Sequence, residues 1–152
     1  TAYAVGDAMT DNTPRFLIFT LPKVLGSFKI MQGVCLSDTA VATSLTLHLV
    51  NDTAGISSIA DNAALTYSFR SGNAAKYVAG LKGTNIVGVA GHRNTIYLSG
   101  VNGVTSSVAP PIPFYVSGNK NSKLFGYVEV GNTAGQKHAG VYDFYVTIEY
   151  ED

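Results

Sequence analysis

The chain has 152 residues, and its ten basic and ten acidic side chains cancel to a formal charge of zero while making up only 13% of the sequence. That length sustains one domain with a proper core and is too short to expect two. So little charge, against about 25% in a typical globular domain, argues against nucleic acid or an anionic membrane surface as a partner. Hydrophobic residues reach 46%, with nine Tyr, seven Phe and no Trp, a composition in which neighbouring molecules are expected to cover part of the surface.

Residues 1–14, TAYAVGDAMTDNTP, show no sustained period and end on a proline that disfavours helix at Thr13. They read as an extended N-terminal arm. Tyr3, Val5 and Met9 are more apolar than a solvated tail needs, so the arm is expected to lie extended against a neighbouring molecule. The opening Thr1-Ala2-Tyr3-Ala4 has neither the basic start nor the apolar run of a secretory leader.

Residues 15–152 read as a single β-domain. Arg15 to Leu21 is a first strand, stopped by Pro22, and its near-continuous apolarity predicts burial on both faces or at a subunit contact through Phe16 and Phe19. Ser27 to Ser37 gives a second strand, with Cys35 as a buried thiol. In the third, Leu45, Leu47 and Leu49 alternate with Thr46 and His48, the period of two of a strand with one face in a core. Asn51 to Gly55 is turn chemistry, and Leu65 to Phe69 alternates again. Asn73 to Gly80 combines an N-cap residue, alanines and a terminal glycine, which predicts one short helix of two turns.

Asn85 to Ala90 and Asn94 to Ser99 are two further strands. The prolines of the 100–113 segment favour extended backbone, after which Ile112, Phe114 and Tyr115 present apolar groups to neighbouring elements. Phe114 to Ser117, Lys123 to Val130 and Val141 to Tyr150 complete the count, and the Gly118–Ser122 and Gly131–Gln136 connections look like hairpin loops. The last strand has the cleanest alternation, and a terminal strand of such length is expected inside a sheet. The sum is an all-β fold, an antiparallel β-sandwich or jelly roll with one short helix.

Little in this pattern suggests catalysis. His48, His92 and His138 fit no metal spacing. The glycine-rich stretches precede no helix that could cradle phosphate, and Asp143 and Glu149 stand ~20 Å apart along one strand, too far for a glycosidase pair. No cofactor, metal site or enzymatic activity is expected. Tyr115, Tyr127, Tyr142, Tyr145 and Tyr150 concentrate aromatic rings in the C-terminal third, where they serve a core, a protein interface or sugar stacking.

Leu45-Thr46-Leu47-His48-Leu49-Val50-Asn51-Asp52, then Ile59-Ala60-Asp61-Asn62-Ala63-Ala64-Leu65, then Ala74-Ala75-Lys76-Tyr77-Val78-Ala79-Gly80 resembles, in order, a pattern of small structural proteins of tailed bacteriophages. The likeness spans residues 15 to 83, with Gly26 to Asp38 fitting the same layout. It implies a virion component of the size of a capsid cement, or decoration, protein. Such proteins are made in the host cytoplasm and sit as homotrimers on the outer capsid surface, where they bridge subunits of the major capsid protein. The arm of residues 1–14 is then expected to lie extended against a neighbouring subunit or the capsid. The alternative from another class is a receptor-binding or fibre-tip domain that uses its tyrosines on host glycans, and a hydrolase on the same scaffold stands third.

Overall fold

The period-two alternation read from the sequence becomes a ladder of antiparallel strands in the computed structural model, which describes residues 2–3, 8–9, 16–22, 26–37, 45–53, 76–83, 94–101, 112–116, 122–130, 136–137 and 142–150. The strands are β1 (Ala2–Tyr3), β2 (Ala8–Met9), β3 (Leu17–Thr20), β4 (Gly26–Ser37), β5 (Leu45–Val50), β6 (Tyr77–Gly83), β7 (Asn94–Val101), β8 (Ile112–Val116), β9 (Lys123–Val130), β10 (Gln136–Lys137) and β11 (Tyr142–Tyr150). Nine of them form one sheet with the path β11-β4-β7-β6-β5-β9-β2. In it β8 also pairs with β4 and β3 also pairs with β9, while β1 and β10 form a separate two-stranded sheet. The all-β, antiparallel expectation holds. The described strands fall into sheets of nine and two members.

Apolar side chains from strands far apart in this order meet. Ile30 and Cys35 of β4, Leu45, Leu47 and Leu49 of β5, Ala79 and Leu81 of β6, Leu98 of β7, and Val128 and Val130 of β9 form one buried cluster. A second cluster joins Phe28 of β4 to Leu124 of β9 and Leu21. The sheet therefore curls over its inner face, and this shared burial, at about 25 cal/mol per Å² of apolar surface, is what holds the curl. Cys35 is buried, as its apolar context predicts.

One irregularity organises β4. Opposite β11, Thr147 pairs with Gln32 and Ile148 with Ile30, so Met31 is an extra residue. The bulge resets the alternation: Phe28 and Ile30 face inward before it, Gly33, Cys35 and Ser37 after it, with Met31 and Gln32 both exposed between. On its other side β4 changes partner at the same place, from β8 (residues 26–30) to β7 (residues 33–37).

The short helix predicted over Asn73 to Gly80 does not form where the chain is described: Tyr77 to Gly80 lie in β6, paired with β5 on one side, and from Gly80 to Gly83 the strand also pairs with β7 on the other. Intrinsic helix preferences of Ala and Lys are worth only tenths of a kcal/mol per residue. Those preferences lose to the two flanking ladders and to the full burial of Ala79 and Leu81. The last strand is likewise an edge, because among the described residues β11 pairs with β4 alone. Clean alternation reports which face is buried and says nothing about how many ladders flank the strand. Among the described residues, the strands on either side of the two presumed hairpin loops do not pair with each other, since β8 lies beside β4 and β9 beside β5, β3 and β2.

The N-terminal segment also departs from expectation. Ala8 and Met9 pair with Glu129 and Val128 of the chain's own β9; Ala8 is buried and Met9 packs on the main core. Ala2 and Tyr3 pair with Lys137 and Gln136. An extended segment gains most from the nearest ladder with open hydrogen-bonding groups, and here that ladder is intramolecular. The strands expected over Leu65 to Phe69 and Asn85 to Ala90 lie outside the described residues, as does Asn73.

Candidate functional site

The outer face of β9, β5 and β6 carries the chain's densest described cluster of polar and aromatic groups. Inward positions of β5 are Leu45, Leu47 and Leu49, which leaves Thr46 and His48 outward. His48 lies opposite Tyr127 of β9 on one side and Gly80 of β6 on the other, and Thr46 lies opposite Glu129 and Lys82. Because Gly80 has no side chain, the imidazole has room to lean over the sheet. Its ring stacks on Tyr127 with centroids 4.8 Å apart and 17° between planes, and Phe16 meets Tyr127 and Phe125 edge-on at 6.2 and 6.4 Å. Tyr127 is thereby only 3% exposed although it points away from the core.

Hydrogen bonds tie three strands at this point. His48 Nε2 lies 2.7 Å from Glu129 Oε2 and His48 Nδ1 lies 3.0 Å from the Tyr77 hydroxyl. With neutral imidazole the partners assign the tautomer: Nε2–H donates to the carboxylate and Nδ1 accepts from the phenol. Burial, followed by the Glu129 charge, pushes the Tyr77 hydroxyl up to about 12, so it stays protonated and donates. The His48 hydrogen bond holds the Glu129 carboxyl below its ordinary value of 4.5, with burial opposing and the Lys82 charge adding to the effect.

A carboxylate–imidazole–hydroxyl line is the arrangement that orients a general base. Here both ring nitrogens are spent inside the line, and the hydroxyl at its end resists deprotonation. The arrangement suits a polar brace across β9, β5 and β6. Replacing His48 with alanine should lower stability at pH 7 by about 1–3 kcal/mol, the range for losing a hydrogen bond to a charged group together with a ring contact. Glu129 has a lowered folded-state value, so its contribution is complete above pH 4.5 and is lost as pH falls through that lowered value. The gap between wild type and His48→Ala should accordingly narrow below pH 4.5 in denaturant titrations, and Glu129→Gln should flatten the acid limb.

The interface residues expected from sequence are distributed differently. Phe16 and Phe19 are half-buried, Phe16 against the aromatic row just described and Phe19 against both core clusters. Met9 is in the core margin. Ile112, Phe114 and Tyr115 lie in β8 opposite Ile30, Phe28 and Ser27, and Tyr3 lies in β1; Val5 is outside the described residues, as are His92 and His138. Among the described residues, the large apolar side chains that reach solvent are Leu17 and Ile18 of β3, Met31 at the bulge, and Tyr145 and Tyr150 of β11, with Ile18 60% and Tyr145 54% exposed. Within the Arg15 to Leu21 run, Phe19 turns inward and Ile18 outward. Among the described residues no group of His, Cys, Asp and Glu is arranged to hold a metal ion, and no helix is long and apolar enough to cross a membrane.

No family model matches the sequence, and no curated protein or solved structure matches the chain.

Proposed function

We propose that this chain is a non-enzymatic structural protein of a tailed-phage virion, a capsid decoration protein that binds the outer capsid surface as a homotrimer and bridges subunits of the major capsid protein. The observation that carries the reading is the exposure of Leu17 and Ile18 on β3 and of Tyr145 and Tyr150 on β11, two strands that each pair on one side only among the described residues. Apolar groups left at sheet edges gain by docking, and a chain with 13% charged residues offers little else with which to bind. The resemblance over residues 15 to 83 supports the same reading.

Particles lacking the protein should lose their contents at a lower temperature than complete particles in a heat challenge. Equal heat resistance would remove the bridging role. The exposed rings of Tyr145 and Tyr150 favour a second reading, a receptor-binding domain that stacks them on host sugars, and glycan-array binding with unchanged particle stability would select it.

A further inference from the structure

Two strands lie end to end along one edge of β9. β5 pairs with β9 from Phe125 to Val130, so β2, on Glu129 and Val128, and β3, on Gly126 to Lys123, share the opposite edge and run the same way along it. Between Met9 opposite Val128 and Leu17 opposite Gly126 the ladder has one rung, at Tyr127, whereas the chain has the seven residues 10–16. Phe16, whose ring already meets that of Tyr127, could fill that rung alone. The six residues 10–15, TDNTPR, are therefore more than a straight strand along β9 needs. What they supply is reach: the eight steps from Met9 to Leu17 span up to ~26 Å, against ~7 Å for two rungs.

The hold of this arm is short and specific. β2 contributes two rungs, with Ala8 fully buried and Met9 packed on the main core, and β1 adds two more on Gln136 and Lys137. Two-rung ladders near a terminus belong to the low end of local opening free energies. Every copy carries the same arm and the same acceptor edge, so an arm arriving from another copy makes the contacts that the chain's own arm makes. We infer that the N-terminal arm is exchanged between copies of this chain: Ala8 and Met9 of one copy pair with Glu129 and Val128 of the next, while each copy keeps its own β3 on its own β9. The ladder is the same before and after. The exchanged form gains because six residues no longer have to be looped out over one rung, and because a neighbour's arm tethered in an oligomer is held at high effective concentration. The exchange needs no capsid, and it names a contact for the homotrimer proposed above.

The test uses the full chain in a Cys35→Ala background. Residues directly opposite in an antiparallel pair stand about 4.5–5.5 Å apart at Cα, within the range a disulfide spans, so Met9→Cys and Val128→Cys report where the arm lies. Chains carrying one substitution each are mixed, unfolded, refolded together and oxidised, and the expected product is a covalent heterodimer joined from position 9 to position 128. The double variant should give covalently linked chains in place of an oxidised monomer. A second variant guards against a cysteine pair that folds poorly: with residues 10–15 removed, Phe16 fills the rung at Tyr127, and this chain should be a monomer in light scattering while wild type is an oligomer. Cross-links confined to single chains, in a wild type that light scattering finds oligomeric, would overturn the exchange and leave the homotrimer standing. A monomeric wild type would overturn both, and a deletion variant as oligomeric as wild type would show that the arm's connection does not carry the contact.

Discussion

Leu47→Ala is expected to lower the unfolding free energy by about 2–5 kcal/mol, the usual cost of truncating a buried leucine, which is a large share of the ~5–15 kcal/mol a domain has in total. Leu47 sits at the centre of β5 with no solvent exposure, opposite Leu81 on β6 and Val128 on β9. Neither neighbour can move in without leaving its own ladder, so little of the cavity closes. The space has one other claimant: a Cβ added at Gly126 would stand 3.0 Å from Leu47 Cδ1 and 3.0 Å from Phe19 Cε2. Gly126→Ala should therefore destabilise wild type and cost less in the Leu47→Ala background, a coupling readable in a double-mutant cycle. Ile18→Ala, at a 60% exposed position, should change stability by no more than about 0.5 kcal/mol. Denaturant midpoints with unchanged slopes measure all four. A Leu47→Ala effect as small as that of Ile18→Ala would mean that the inner face of β5 is not the core.

Gly33→Val is expected to be the costliest small-to-large change in the described sheet. A Cβ at residue 33 would lie 2.9 Å from Leu81 Cδ1 and 3.1 Å from Leu98 Cβ. The leucine methyl can rotate aside. The Leu98 Cβ is fixed by its backbone, which is paired with residue 33 itself, so relief requires the β4–β7 ladder to open. Overpacking of this kind costs about 1–3 kcal/mol, against a gain of only about 0.4–1 kcal/mol from stiffening the unfolded chain. Gly33→Ala should fall between wild type and valine in thermal melts. A valine variant as stable as wild type would show that β4 and β6 do not approach as closely as the curled sheet requires.

Alternation made β5 and β11 legible in the sequence, because each keeps one phase from end to end on its inward side. It misled at β4, where the Met31 bulge flips the phase inside one strand, and at β6, where Val78 is the extra residue opposite the Leu49–Val50 step. There the alanines around Lys76 imitate a helix, while Ala79, Leu81 and Gly83 carry the strand period. The brace on the outer face was half visible. His48 could be placed off the core face from its own strand, but its partners Tyr77 and Glu129 lie 29 and 81 residues away, and no local pattern announces which strands will be neighbours. Polar residues at outward positions of otherwise apolar strands were the available signal. Strand order in this sheet joins consecutive elements only at β5–β6 and β6–β7, so most pairings are non-local and are decided by burial that no short window contains.

On the proposed function, the apolar groups exposed at the sheet edges are a docking surface. Add-back to particles stripped of the protein tests it most directly, comparing wild type with an Ile18→Asp, Tyr145→Asp variant whose circular dichroism and denaturant midpoint match wild type. Wild type should co-sediment with the particles and restore their heat resistance, and the variant should do neither. Equal binding and equal protection by the variant would contradict the claim and move the contact to another face.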